Sequence, residues 1–286
     1  GMGERYLEAL TPRLPDADYV LAIGGGNALD VGKYVAWKLN RRFVMIPTIV
    51  STGSVFQSPV AIRRATTWDF QRETVAPEVL LFDLDVIRDA PPRLNRAGMG
   101  ECVCQLAPGV AWQWWSDHGL EGPAYDPSAA ETTRRWARER CAAFSRDLDA
   151  TGQPNAIGIR IAAEINRERY DLPTFGTSGG HSLDHSFAIT FEWIHRRELI
   201  HGEGVALGTL INALLYESGF DEAKALLDSC GVLYRPRDIG CTDAEVRQVL
   251  DRFNDLNDRL GRTRNWFHER ELDDPTFTRM MAMINA

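Results

Sequence analysis

Apolar and polar positions alternate along this chain in two different rhythms. Near the start, short solid apolar runs appear: Tyr19-Val20-Leu21-Ala22-Ile23, Phe43-Val44-Met45-Ile46-Pro47 and Val79-Leu80-Leu81-Phe82. Runs of this length, closed by glycine, proline or aspartate, read as buried strands. Between the first two lies a helical pattern with Val31, Val35 and Leu39 on one face, ending near Asn40. The stretch from Ser58 to Ile62 and the segment near Trp68 read as a hairpin or excursion. Strands alternating with helices imply a small parallel α/β layer.

Beyond Pro91-Pro92, which forces the preceding residue extended, the rhythm becomes helical. Helices are expected over 96–115, broken by Gly98, Gly100 and Pro108, then over 131–149, 155–169, 205–216, 221–227, 243–260 and 274–283, with one more through Phe187 and Trp193. Gly231 is placed to end a helix in the left-handed conformation. The fold class is therefore α/β plus all-α: an N-terminal parallel sheet domain over 1–90, followed by a helical domain over 91–286.

Composition narrows the function. The 286 residues are 44% hydrophobic and 25% charged, ordinary for a globular protein, and the net charge is -8. An acidic chain is a poor partner for nucleic acid or an anionic membrane, since phosphate binding needs clustered lysine and arginine. No apolar run approaches the roughly 20 residues that cross a bilayer, so the cytoplasm is the expected location. The five cysteines are too scattered for a disulfide framework and are expected as thiols. Trp112, Trp114 and Trp115 read as packing residues.

Three stretches carry chemistry. Gly24-Gly25-Gly26, between the first strand and helix, lets a ligand approach the backbone, and the helix N-terminus offers free amides and a positive dipole end to a phosphate. A glycine turn that merely packs strand on helix is the plainer alternative. Asp30 and Lys33, three apart, read as an exposed helical ion pair. Thr48, Ser51 and Thr52 lie in a hydroxyl-rich loop at the carboxyl end of the second strand, the edge where open parallel sheets bind ligands. Finally, Glu101 stands near a helix start, with Cys104 and Gln105 on its face. His181 and His185 are expected to share one side of a helix, and His201-Gly202-Glu203 follows. Imidazoles plus a carboxylate suit zinc. Asp184 is placed by helical phase away from both histidines and carries little weight as their orienter.

In order, Gly24-Gly25-Gly26-x3-Asp30-x2-Lys33, Ile46-Pro47-Thr48-x2-Ser51-Thr52, Asp83, Gly98-Met99-Gly100-Glu101, His181-x3-His185 and His201-Gly202-Glu203 resemble the superfamily of metal-dependent glycerol and iron-type alcohol dehydrogenases. That superfamily includes sn-glycerol-1-phosphate dehydrogenase, to which the likeness is greatest, and dehydroquinate synthase. The resemblance implies that the N-terminal sheet domain is a truncated Rossmann-like domain, and that a metal lies in the cleft between the two domains, held by Glu101, His181 and His201. It implies NAD or NADP on Gly24, Gly25, Gly26 and Asp30, with Thr48, Ser51 and Thr52 on the nicotinamide side, and catalytic roles for His185, as proton relay, and Lys33. Three protein ligands favour Zn2+, with Fe2+ the alternative. The expected partner is a small polyol or polyol phosphate, and the expected assembly a homodimer.

The chain also departs from the family pattern. Only about twenty residues precede the glycine turn, where relatives carry a further strand-helix-strand unit, so the cofactor cradle is expected to be half missing. Gly53 stands for an aspartate, Cys104 or Gln105 for a cleft lysine, and Leu172-Pro173 for arginine-proline. Two other functions follow from these features. A degenerate member could keep fold and metal as a binding protein, and Glu101, where dehydrogenases usually have aspartate, fits a dehydroquinate-synthase-like lyase.

Overall fold

The computed structural model describes residues 3–56, 59–63, 68–71, 74–175, 182–262 and 264–286. After helix α1 (Glu4–Leu10), strand β1 (Tyr19–Gly24) leads into helix α2 (Gly26–Leu39), and strand β2 (Arg42–Pro47) returns beside β1. β1 and β2 pair in parallel from Tyr19↔Arg42 to Gly24↔Pro47. A hairpin of β3 (Val60–Arg63) and β4 (Trp68–Gln71) intervenes before β5 (Val79–Leu80), which joins β2 in parallel, giving the order β1-β2-β5. The three parallel strands and the hairpin are those the apolar runs predict. The third is shorter than Val79–Phe82, because Asp83 caps a new helix, accepting from the amides of Asp85 and Val86.

α2 packs on one face of the sheet. Ala22, Phe43 and Met45 turn toward it and form a small core with Leu29 and Ala36. Strand alternation sends the neighbouring residues to the other face. There Leu21 and Ile23 remain 59% and 58% exposed, and Val79 and Leu81 both 51%.

The rest is helical: α3 (Leu84–Asp89), α4 (Pro92–Ala97), α5 (Gly100–Val103), α6 (Leu106–Asp117), α7 (Pro127–Arg146), α8 (Ala156–Glu168), α9 (Asp184–His195), α10 (His201–Leu215) and α11 (Phe220–Cys230), then α12 (Pro236–Ile239), α13 (Asp243–Asp251), α14 (Phe253–Asn257), α15 (Trp266–Glu269) and α16 (Asp274–Asn285). One large apolar cluster unites them, and Val50 and Ile87 from the α/β part join it. Gly231 ends α11 with φ 64°, as expected. The helix expected over 243–260 is interrupted at Arg252, which has φ -115° and ψ 17°. The three tryptophans are buried, Trp112 and Trp115 donating to the carbonyls of Pro123 and Glu121. All five cysteines are free and buried. No helix among the described residues is long and apolar enough to cross a membrane.

Candidate active site

A cleft of about 780 Å³ opens between the carboxyl edge of the sheet and the helical part. One wall is the glycine turn and the start of α2, through Gly25, Gly26, Asn27 and Ala28, with Ser51 and Thr52 beside it. The opposite wall carries Glu101, Arg169, His185, His201 and Arg262. At the rim the walls are tied together: Asn27 and Arg63 both donate to the Glu198 carboxylate, at 3.1 and 2.8 Å.

The glycine turn is steric as well as permissive. Gly24 has φ 147° and lies behind the lining, where a Cβ would meet that of Ala28 at 2.7 Å. A Cβ on Gly25 would meet Ile49 Cδ1, and one on Gly26 would meet Thr52 Oγ1, each at 2.8 Å. No side chain caps the α2 N-terminus, so its first amides face the cleft uncapped. Ser51 and Thr52 line the cleft, Thr52 also capping the short turn Gly53–Val55, whereas Thr48 is outside the lining, its amide donating to the Gly24 carbonyl.

Asp30 and Lys33 differ from the expected exposed pair. Lys33 is 1% exposed beneath the cleft floor and donates to Asp30 at 2.8 Å and to the Ser54 carbonyl. Only Asp30 of the two reaches the lining. Burial raises its pKa, with Lys33 opposing the rise. The sequence shows the helical spacing but not the loop 51–55 folding over it.

Glu101 is the centre of the helical wall. It is 1% exposed on the short α5; its Oε1 lies 3.0 Å from His201 Nε2, and its Oε2 lies 3.3 Å from His185 Nε2. Three helices deliver these groups. The N-terminus of α10 crosses α5 at backbone contact, since a Cβ on Gly100 would meet the Gly202 carbonyl oxygen at 2.1 Å. Glu203, one step further, turns away from the cleft and accepts from Arg93 Nε and Nη2 at 2.6 and 2.7 Å, fixing α10 to α4. Asn212 accepts from the Leu183 amide and so pins the start of α9.

α9 begins at Asp184 and carries His185 in its first turn, and His181, expected on the same helix, lies outside the described residues. Asp184, discounted on helical phase, contacts the histidine next to it: its Oδ2 is 2.6 Å from His185 Nδ1. Phase arguments assume a helix already running, and in the first turn adjacent side chains can fold toward one another. Loss of water pushes the His185 imidazole down, but Glu101 and Asp184 outweigh it and raise it from 6.5 to about 9. Burial alone would raise Glu101, yet the Arg169 guanidinium and His185 hold it well below the usual carboxylate range.

Arg169 is the residue that sequence reading missed. It opens the turn Arg169–Asp171 after α8, is 4% exposed, and its Nη1 donates to Glu101 Oε2. Its position at a helix end, inside a run of charged residues, gives no sign of burial. Cys104 also lies near, its thiol, the Glu101 carboxylate and His185 offering ligand atoms within 4.8 Å of one another. Desolvation, with Asp184 and Glu101 adding, raises the Cys104 thiol well above its ordinary value. Carboxylate and imidazole nitrogen converging on one point form a donor set that accepts a divalent transition ion.

Comparison with known proteins gives likenesses in sequence and in fold. Residues 4–91 match the model of the iron-containing alcohol dehydrogenase family. The N-terminal part of the chain is thus similar to that family, whose members are oxidoreductases by its description. The chain is similar to glycerol-1-phosphate dehydrogenase [NAD(P)+] of Aeropyrum pernix, 27% identical over 243 residues that cover 85% of this chain and 67% of the relative. The corresponding protein of Staphylothermus marinus is 29% identical over 231 residues, covering 80% and 64%. The chain thus spans about two thirds of the length of these relatives. In fold it resembles glycerol dehydrogenase from Schizosaccharomyces pombe, with TM-score 0.63 at 20% identity, covering all of this chain and 75% of that one. NADH-dependent butanol dehydrogenase A of Thermotoga maritima gives TM-score 0.63 at 14% identity, covering 98% and 79%.

Proposed function

We propose that the chain is a metal-dependent NAD(P) oxidoreductase acting on a small polyol or polyol phosphate, of the glycerol-1-phosphate dehydrogenase kind. The observation that carries this reading is Glu101 meeting His185 and His201 at 3.3 and 3.0 Å, across a cleft from the uncapped N-terminus of α2. The domain boundary is placed at Pro91-Pro92, so that the cleft divides nucleotide side from metal side, and the cytoplasm is the proposed location.

Glu101, His181 and His201 are the proposed metal ligands. Zinc suits three such ligands, and iron, which the family description names, is the alternative as Fe2+; metal analysis of the purified protein decides. When bound, the ion supplies Lewis-acid polarisation of a substrate hydroxyl, and the nicotinamide accepts the hydride. The chain's own residues do the rest. The amides of Gly25 and Gly26 take the pyrophosphate, and Ser51 and Thr52 shape the nicotinamide side. His185, its Nδ1 held by Asp184 and its pKa raised to about 9, holds a proton at neutral pH and gives it through Nε2 to the substrate oxygen in the carbonyl-reducing direction, taking it back in the reverse direction. Arg262 presents a cation to an anionic substrate group from within the lining, where its Nη1 donates to Ser186 Oγ at 2.5 Å. Lys33 acts from below the floor, setting Asp30 and the 51–55 loop.

The test is zinc-loaded protein mixed with NAD or NADP and glycerol 1-phosphate, followed by nicotinamide absorbance. Reduction of the cofactor is expected. Silence across a broad panel of polyols and their phosphates, with zinc bound, would overturn the reading. A second reading, a binding protein without turnover, is favoured by the Arg169 guanidinium on Glu101. Calorimetric titration with NAD and NADP separates the two, because tight nucleotide binding argues for the enzyme.

A further inference from the structure

Glu101 already has a cation on it. Arg169 Nη1 donates to Oε2, the same oxygen that faces His185 Nε2, while Oε1 faces His201 Nε2. The neighbours of Glu101 along its own stretch, Cys104 and Gln105, bring no positive charge, so besides His185 the countercharge comes from a distant turn, 68 residues along the chain. The guanidinium reaches it over one position that has no side chain. A Cβ on Gly53 would lie 2.2 Å from Arg169 Nη2 and 3.1 Å from the Tyr170 hydroxyl, to which Nη2 donates at 3.0 Å. Gly53 is itself 3-10 helical, in a turn capped by Thr52, so its lack of a Cβ serves space rather than backbone conformation.

Ligand nitrogens and oxygens sit about 2.0 to 2.2 Å from a zinc ion. An ion held by Glu101 and His201 would share this buried carboxylate with the guanidinium, and two positive charges on one carboxylate repel each other. We infer that Arg169 is the resident cation of the cleft, admitted by Gly53, and that it competes with a divalent ion for the Glu101 carboxylate. Arg169 is a positioning residue in this account: it orients Glu101 and sets how tightly metal is held. The inference rests on the metal reading of Glu101, but its test does not depend on turnover.

The experiment is calorimetric titration of metal-stripped full-length protein with Zn2+, repeated with Co2+ to read the visible absorption of its coordination sphere. Wild type, Arg169→Met and Gly53→Ala are compared. Removing the guanidinium, or displacing it with the 53 methyl, is expected to tighten metal binding on the order of tenfold or more, with stronger cobalt bands in both variants. Arg169→Lys, which keeps the charge, is expected to stay nearer wild type. Because Gly53→Ala leaves Arg169 in the chain, it answers even where Arg169→Met fails to fold. Metal binding unchanged or weakened in the variants, or no zinc binding by any of the proteins, overturns the inference. Failure of the proposed oxidoreductase is seen separately, as silent absorbance with metal bound.

Discussion

Glu192 shows how the cleft stores charge. It lines the wall beside Glu198 and His201 and is 12% exposed, with Arg63 Nη2 at 3.5 Å. Burial raises its pKa from 4.5 to about 7, Glu198 adding to the rise and His201 and Arg63 opposing it. The folded protein therefore holds a proton that the unfolded chain has released between pH 4.5 and 7, so this group's contribution to stability is full at low pH and lost as pH rises through about 7. Glu192→Gln removes that dependence. Urea unfolding is expected to show the variant gaining about 1 to 3 kcal/mol on wild type between pH 5 and pH 8; a gain at pH 5 that disappears at pH 8 would contradict the assignment. Arg262 yields a second prediction at this scale. Its charge-assisted hold on a phosphate would be lost in Arg262→Gln, so KM for glycerol 1-phosphate should rise about tenfold or more while KM for unphosphorylated glycerol changes little. Equal changes for both substrates would remove its role as an anion anchor.

Among the elements, the site depends on how α5 and α10 meet. Gly100 and Gly202 let α10 lie on the backbone of α5 and of the end of α4: a Cβ on Gly100 would lie 2.1 Å from the Gly202 carbonyl oxygen, and one on Gly202 would lie 1.8 Å from the Ala97 carbonyl oxygen. The glycines beside the carboxylate and the histidine are therefore spacers that bring Glu101 and His201 to 3.0 Å. Gly202→Ala must push α10 away, and nothing but backbone stands on the other side to yield. It is expected to lower stability by about 2 to 4 kcal/mol and to abolish zinc binding, read by denaturant unfolding and metal stoichiometry. A variant that stays stable and binds zinc would show that the contact does not set the ligand spacing. The motif spacing was legible along the chain, but the reason for its glycines was not, because each one faces an element about a hundred residues away.

For the molecule as a whole, the uncovered sheet face is the feature with consequences in solution. Leu21 and Ile23 on β1, with Val79 and Leu81 beyond β2, are exposed apolar side chains on one face of the sheet, and among the described residues β1 is an edge strand. Exposed apolar patches and open strand edges favour association. Sedimentation velocity is expected to show concentration-dependent self-association of this chain, weakened by Ile23→Lys with the unfolding midpoint little changed. A monomer at all concentrations would show that the face is tolerated as solvent-exposed surface.

The sequence by itself determined the periodic parts. Solid apolar runs fixed β1 and β2, helical spacing fixed α2 and most of the later helices, and the glycine turn placed a helix N-terminus at the sheet edge, because these depend on neighbours within a few residues. Motif order also pointed to Glu101 and His201 as partners before any contact was visible. Tertiary structure decided what those residues touch: that Lys33 is buried under a loop, that Asp184 holds His185, that Gly100 and Gly202 are spacers, and that Arg169 reaches Glu101 over Gly53. Burial and charge pairing are properties of elements brought together from far apart in the chain, and no local pattern records them.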